Sequence, residues 1–268
     1  MLDLSIVIVT YNSEKHILKC VDSILREVND ISFEIVVVDN NSTDSTKEIL
    51  IKKPKVKLIA NKQNVGFARA NNQGIEEARG EFVMILNPDI VLTKESKLKN
   101  LMTFVEENPS TGIVSARLFY EDGNVQESAR QFPSVFTFFI RGFKLEKYFN
   151  KAGFYQKNNV YKYLACSDPV RVDWVIGAFM FTKKKILEQV GSFDDNFFMY
   201  YEDADLCDRI QKKGYEIIYY PEVSAVHAYC RESAKPLISK LKLIHLHSFF
   251  RFYLKKHLKS NPITLLLC

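Results

Sequence analysis

Four short and almost wholly apolar runs, Leu4–Thr10, Phe33–Asp39, Val56–Ala60 and Phe82–Leu86, recur in the N-terminal third of the chain with helix-patterned segments between them. A strand with one solvated face alternates apolar and polar residues, whereas a run that stays apolar throughout suits a strand covered on both faces. The intervening segments are Glu14–Leu25, the stretch from the N-cap groups of Ser42-Thr-Asp-Ser-Thr46 through Leu50, and Ala68–Ala78. Strand, helix, strand succession of this kind predicts an α/β protein with a mostly parallel sheet flanked by helices.

Beyond Leu86 the rhythm changes. A helix is expected over Lys97–Glu107, and Gly112–Tyr120 and Val125–Gln126 flank Glu-Asp-Gly-Asn124, a turn signature that predicts a hairpin and hence a mixed sheet. Residues 134–165 are rich in Phe, Tyr and Lys without a period and predict a loop or short-helix insertion over a site. Trp174–Phe181 reads as a strand, Lys183–Val190 as a helix ended by Gly191, Glu202–Lys213 as a helix ended by Gly214, and Glu216–Tyr220 as a strand. No linker divides the chain, so one domain over 1–230 and a helical tail over 231–268 are expected. Five cysteines, none in C-x-x-C spacing, argue against a disulfide framework or zinc cage and for a reducing, cytoplasmic setting. Asp3 stands where the basic start of a secretory signal would be.

Charge is uneven: residues 231–268 hold eight Lys/Arg and one acid, while residues 1–230 carry a slight acidic excess. A near-neutral body speaks against nucleic acid as a partner. In the tail, Leu246, Phe249, Phe250, Tyr253 and Leu254 follow helical spacing, with Lys240, His247, Arg251 and Lys255 on another arc. Such a basic amphipathic helix lies on an anionic membrane surface, packs back on its domain or joins a homodimer; the apolar end Ile263–Cys268 is too short to span a bilayer.

The ends of the strands carry the polar residues. Thr10, Tyr11 and Asn12 end the first run and Asp39, Asn40 and Asn41 the second, in the crevice where open parallel sheets bind ligands; Asp39 there can accept from a base N–H. No G-x-G-x-x-G follows the first strand, which disfavours a dinucleotide. Asn64-Val-Gly66 opens a helix whose N–H groups suit a diphosphate, with Arg69, Asn71 and Asn72 as further donors. Asn87 and Asp89 follow the fourth run; Asp89 is a hard oxygen ligand, and His227 is the candidate second ligand for a divalent ion. Tyr200–Asp208 packs four acids after a bulky apolar run that would desolvate them. Asp203 is expected to be a general base, with Glu202 in reserve. Trp174, with Gly177 and Ala178 permitting close approach, suits a floor for sugar or acceptor as well as it suits a core.

These segments, in this order, resemble glycosyltransferase family 2, the inverting enzymes of GT-A (Rossmann-like) fold. The likeness spans about residues 4–230 through Ser5–Asn12, Val36–Asp44, Asn64–Gly74, Leu86–Asp89, Trp174–Lys184, Gly191–Arg209 and Tyr220–His227. Leu86-Asn-Pro-Asp89, Arg130-Gln-Phe-Pro133 and Trp174–Ala178 are similar to rhamnosyltransferase-like bacterial enzymes of surface-polysaccharide synthesis. The resemblance implies a dTDP-, UDP- or GDP-linked sugar donor and a glycan or lipid-linked acceptor. It also implies an enzyme in the cytoplasm or peripherally on the inner face of the cell membrane. By it Thr10, Tyr11, Asn12 and Asp39 hold the nucleoside, Asn64, Gly66, Asn71 and Asn87 line the diphosphate sugar, Asp89 and His227 hold Mg2+ or Mn2+, and Asp203 deprotonates the acceptor. Two positions depart from the family pattern: its Asp-x-Asp is Asn87-Pro-Asp89 here, and the Arg of its Ala-Arg-Asn segment is Asn71. A catalytically silent sugar-nucleotide-binding subunit is the competing reading, against which the acids at 202–205 stand.

Overall fold

The computed structural model describes residues 2–142, 148, 163, 165–228 and 240–258. Most of the expected insertion over 134–165, and the tail segments 231–239 and 259–268 with the apolar end Ile263–Cys268, lie outside them. The four apolar runs are strands β1 (Leu4–Thr10), β2 (Phe33–Asp39), β3 (Val56–Ala60) and β4 (Phe82–Leu86), and they pair in parallel in the order β3-β2-β1-β4. Helices α1 (Ile17–Glu27), α2 (Thr46–Ile51) and α3 (Phe67–Glu77) connect them.

Alternate residues of these strands point to opposite faces, and both faces are covered. Ile6, Ile8, Met84 and Leu86 pack with Ile17, Cys20 and Ile24 of α1, whereas Val7, Val83 and Ile85 pack with Ala68 and Ile75 of α3. Burying each such side chain stabilises the fold by about 1.5–3 kcal/mol, which is why these runs carry no polar alternation. Helix α3 lies so close to β1 that a Cβ on Gly74 would fall 2.3 Å from Val7 Cγ1. Gly74→Ala gains about 1 kcal/mol of helix propensity but overpacks a site where Val7 is fully buried, costing about 1–3 kcal/mol. A net loss of stability in urea unfolding is expected, and a stabilised variant would refute the close approach.

The sheet is mixed, but not through the expected hairpin. Glu121–Asn124 does turn the chain, with Tyr120 N–H donating to the Asn124 carbonyl, yet only one bridge, Phe119 to Val125, follows it. The long strand before the turn, β6 (Thr111–Phe119), instead pairs on both sides with later strands. The expected strand Trp174–Phe181 is broken: it becomes β9 (Trp174–Val175), pairing with β7 (Ala129–Arg130), and β10 (Phe179–Lys183), which enters antiparallel between β4 and β6. Glu216–His227 is one strand, β11, parallel to β6 with its register shifted between Tyr220 and Ser224, and flanked by β5 (Ile90–Leu92) and β8 (Val170–Val172). Helices α4 (Leu98–Glu107), α5 (Val135–Gly142), α6 (Lys184–Val190) and α7 (Glu202–Lys212) complete the layers before the tail helix α8 (Lys240–Leu258).

Helix α8 packs on the domain. Lys255 Nζ lies 2.7 Å from both Asp194 and Asp205, and Lys256 pairs with Asp208, so these tail cations meet acids of their own chain. Phe249 and Phe252 are buried against Phe138, Phe132 and Tyr201, and Ser248 Oγ donates to the Met199 carbonyl at 2.8 Å. The expected apolar stripe therefore divides: Phe249 turns inward, while Leu246, Phe250 and Leu254 remain on the outer face with Leu243. No helix among the described residues is long and apolar enough to cross a membrane.

Candidate active site

The carboxyl ends of β1 and β2 meet in register at Thr10 and Asp39, both buried. Asp39 Oδ2 accepts the Ser42 N–H at 3.0 Å, but its Oδ1 and the Thr10 hydroxyl have no partner among the described residues. Two orphaned buried oxygens side by side fit an incoming hydrogen-bonding ligand. Asn12, in a left-handed conformation, ties two loops: its N–H donates to Ser42 Oγ and its Oδ1 accepts from Thr43. Tyr11 stands half exposed at the rim.

The segment opening α3 is a clasp. Asn40 Nδ2 donates to Asn64 Oδ1 at 3.0 Å and to the Gly66 carbonyl at 3.2 Å, and Asn64 Oδ1 also takes the Gly66 N–H. Gly66 has φ +89°, and a Cβ there would sit 2.6 Å from the Phe198 carbonyl, so only glycine fits. The Phe67 N–H donates to that same carbonyl at 2.7 Å, which removes one of the amides expected for a diphosphate. Asn71 is buried and returns its Nδ2 to the Phe67 carbonyl, while Arg69 and Asn72 reach Asp195. Arg69 and Asn72 thereby couple α3 to the loop that leads into α7.

Asp89 and His227 come together from ends of adjoining strands, for His227 of β11 is in register with Ile90 of β5 and the Ala228 N–H donates to the Asp89 carbonyl. His227 Nε2 is 3.2 Å from Asp89 Oδ1. Gln126 Oε1 lies 2.6 Å from His227 Nδ1 and fixes the ring with its Nε2 facing the carboxylate. A proton shared with His227 satisfies this contact in the free chain, and a divalent ion bound here would take its place. At 3.2 Å apart, the imidazole nitrogen and the carboxylate oxygen are spaced so that both could hold one divalent ion. Among the described residues no cluster of three or more His, Cys, Asp or Glu side chains forms, so phosphate oxygens and water must complete any shell. Burial pushes the Asp89 carboxyl up, but the hydrogen bond and charge of His227 outweigh it and hold the group below its ordinary value. Gln126 was not anticipated, because a single amide beside a turn carries no periodic signal.

The acids of α7 sort by contact. Asp205 pairs with Arg209 and Lys255, and Asp208 with Lys212 and Lys256. Asp203 Oδ2 accepts the Gly177 N–H at 2.9 Å and Oδ1 the Ala204 N–H at 2.8 Å. Glu202 Oε2 is buried without a partner among the described residues. Burial raises both carboxyls, and the neighbouring Asp203 charge pushes Glu202 well above its ordinary value. Tyr200 and Tyr201, just before them, are successive left-handed residues at φ 72° and 64°. Such backbone costs about 1–3 kcal/mol per residue and persists only where packing over-determines it, here from Ser248 and the His245, Phe249 and Phe252 rings.

The broken strand joins these parts. Over Ile176–Ala178 the Gly177 N–H binds Asp203, and the next residue's carbonyl accepts the Asn87 N–H at 2.9 Å. One dipeptide thus holds the base candidate on one side and the Asn87-Pro-Asp89 loop on the other. Trp174 is buried, its indole N–H bonded to the Gln131 carbonyl and one face under the Arg130 guanidinium, so it backs this bridge rather than offering an open ring.

Rhamnosyltransferase WbbL of Escherichia coli K12 is 30% identical over 267 residues, covering 96% of this chain and 94% of its own. The N-acetylglucosaminyl-diphospho-decaprenol L-rhamnosyltransferase of Mycobacterium tuberculosis H37Rv is 28% identical, covering 92% of this chain and 82% of its own. Among solved structures, mannosyltransferase PcManGT of Pyrobaculum calidifontis, in complex with GDP-Man and Mn2+, superposes with a TM-score of 0.61 at 21% identity. That match covers 94% of this chain, which spans 64% of the larger mannosyltransferase chain. The family description Glycosyl transferase family 2 matches residues 5–191, from β1 through α6, which takes in Thr10, Asp39, the Asn64–Gly66 clasp and Asp89 and stops before α7 and His227. A chain with this sheet, this convergence and a match of that extent belongs to glycosyltransferase family 2 and is a glycosyltransferase.

Proposed function

We propose that this glycosyltransferase is metal-dependent and inverting, moving rhamnose from a nucleoside-diphosphate donor to a lipid-linked glycan acceptor in polysaccharide synthesis. The two relatives named as rhamnosyltransferases support the sugar, and the decaprenol in the name of the second supports the acceptor class. The observation that carries the mechanism is the Ile176–Ala178 bridge, which brings Asp203 and the Asp89 loop to adjacent peptides.

In this reading Thr10 Oγ1 and Asp39 Oδ1 take the nucleoside, with Tyr11 at the rim and Asn87 toward the sugar. A Mg2+ or Mn2+ ion held by Asp89 and His227 would offset the negative charge gathering on the departing diphosphate. Asp203 accepts the proton of an acceptor hydroxyl as its oxygen attacks the anomeric carbon and the bond to the diphosphate breaks on the opposite face, so one displacement inverts the centre. The two backbone N–H donors fix the Asp203 carboxylate in place, and burial keeps its proton affinity above that of an ordinary aspartate. Nothing among these contacts favours a catalytically silent subunit.

A thermal-shift panel of dTDP, UDP and GDP, each with Mn2+ and with chelator, tests the reading. A nucleotide at a hundred times its Kd stabilises the folded state by about 2.7 kcal/mol. One nucleotide is expected to raise Tm only with metal present; no response to any would overturn the proposal.

A further inference from the structure

Helix α8 is apolar on two sides. Phe249 and Phe252 are buried against the domain, while Leu243, Leu246, Phe250 and Leu254, three or four residues apart, form a second stripe that faces away from it. Leu243 is 62% exposed and Leu254 48%. An open groove of about 320 Å³ between α8 and the loop before α7 continues this surface onto the domain, lined by Asn196, Phe198, Leu243, Ile244, His247 and Ser248. Phe198 is itself exposed there. Single exposed hydrophobics are ordinary, but five on one continuous face mark a contact surface.

Charge narrows what covers it. Helix α8 holds five Lys or Arg and no Asp or Glu. Lys255 and Lys256 meet Asp194, Asp205 and Asp208 on the inner side. At 3.6 residues per turn, Lys242 and Arg251 stand about 80° and about 100° from Phe250 on opposite shoulders of the apolar stripe. No acid pairs with Arg251 among the described residues, and its guanidinium carbon lies 5.5 Å over the Phe197 ring. An apolar stripe with a cation on each shoulder suits a helix lying in the plane of a bilayer, its apolar side chains at the acyl boundary and its cations at the level of the headgroups. A second copy of the chain suits it less well. Pairing this face with itself sets cations against cations with no acid between them, and five apolar side chains fall short of the roughly 20–30 residues a side of a stable interface.

We propose that the outer face of α8, together with Phe198, docks on an anionic lipid bilayer. The inner face of the same helix packs on α7 and on Tyr201, so docking holds the helix that begins with Glu202 and Asp203 one helix layer, about 8–10 Å, from the lipid-facing helix. This surface lies outside the transfer site and does not depend on the reaction assigned to it.

Co-sedimentation of the full chain with vesicles tests the docking, using phosphatidylcholine alone and an equal mixture with phosphatidylglycerol. Binding is expected to be stronger on the anionic vesicles and to fall with added salt without vanishing, because salt screens the charges but not the apolar contact. Leu243→Asp and Leu254→Asp should each lower the partition coefficient about 10-fold. Arg251→Gln should lower it about 5-fold on the anionic vesicles only. Both leucines are exposed, so Tm should hold; if one variant unfolds, the other and the arginine variant decide. A wild type that binds neither kind of vesicle refutes the proposal, and binding unchanged in all three variants assigns the contact to another surface. A chain that is dimeric by sedimentation equilibrium and made monomeric by Leu254→Asp gives this face to a second copy instead. No sugar nucleotide enters the assay, so failure of the thermal-shift panel bears on the transfer reading alone.

Discussion

Asp203→Asn is expected to lower kcat by about 10²- to 10⁴-fold, the usual contribution of a positioned base, while leaving donor binding unchanged. The substitution keeps the shape but not the chemistry. Asp203 accepts from two backbone N–H groups, Gly177 and Ala204, and an amide offers only one oxygen, so its NH2 must oppose one of them. That mismatch costs about 1–3 kcal/mol, and a modest fall in Tm should accompany the loss of activity. The pH profile separates the two effects. Because burial raises the Asp203 carboxyl, kcat/KM should fall on the acid side through a limb placed above the ordinary aspartate range, and the variant should lack that limb. Stability runs the other way, since a group whose folded pKa is raised contributes fully below its unfolded pKa and loses that contribution as pH rises through the folded one. Asp203→Asn and Glu202→Gln should both lose less stability than the wild type as pH rises from the ordinary carboxylate range. Retention of full activity by Asp203→Asn, with the acid limb intact, would move the base to Glu202.

Asp89→Ala should abolish the metal-dependent nucleotide binding. Asp89 is the only carboxylate in reach of His227 Nε2 among the described contacts, and Asn87 supplies no charge in its place. With one imidazole left, a hard divalent ion keeps a single soft-side ligand and has little reason to stay. His227→Ala should weaken binding less, and Gln126→Ala, which only frees the imidazole to turn, about 10- to 100-fold. Titration calorimetry of the nucleotide selected by the panel, with Mn2+ and with chelator, orders the three variants. Wild-type affinity in Asp89→Ala with Mn2+ would rule out this pair as the metal site.

The parallel half of the fold was legible because β1 through β4 are covered on both faces, and double coverage writes itself as unbroken apolar runs. Polar residues at their ends were legible for the same reason: a buried strand that stops must release them into the crevice. The second half was harder. β10 enters antiparallel between β4 and β6, and nothing in Phe179–Lys183 distinguishes a strand that runs up from one that runs down. The break at Ile176–Ala178 was hidden inside an apolar stretch, since the cause is the outward pull of Asp203 and Asn87 on one dipeptide rather than a breaker residue alone. On α8, helical spacing grouped Phe249 with Phe250 and Leu254, but the lysines that reach α7 set the rotation and left the latter two outside.

Sequence alone determined the covered sheet, the family and the stock of chemical groups, because these depend on hydrophobic period and residue type, which are local. Only the folded chain decided which acids are tied up in ion pairs. Glu202, Asp203, Asp205 and Asp208 look alike within one helix, and it is lysines some fifty residues onward that neutralise two of them and a backbone N–H from a broken strand that fixes a third, the base of the proposed reaction.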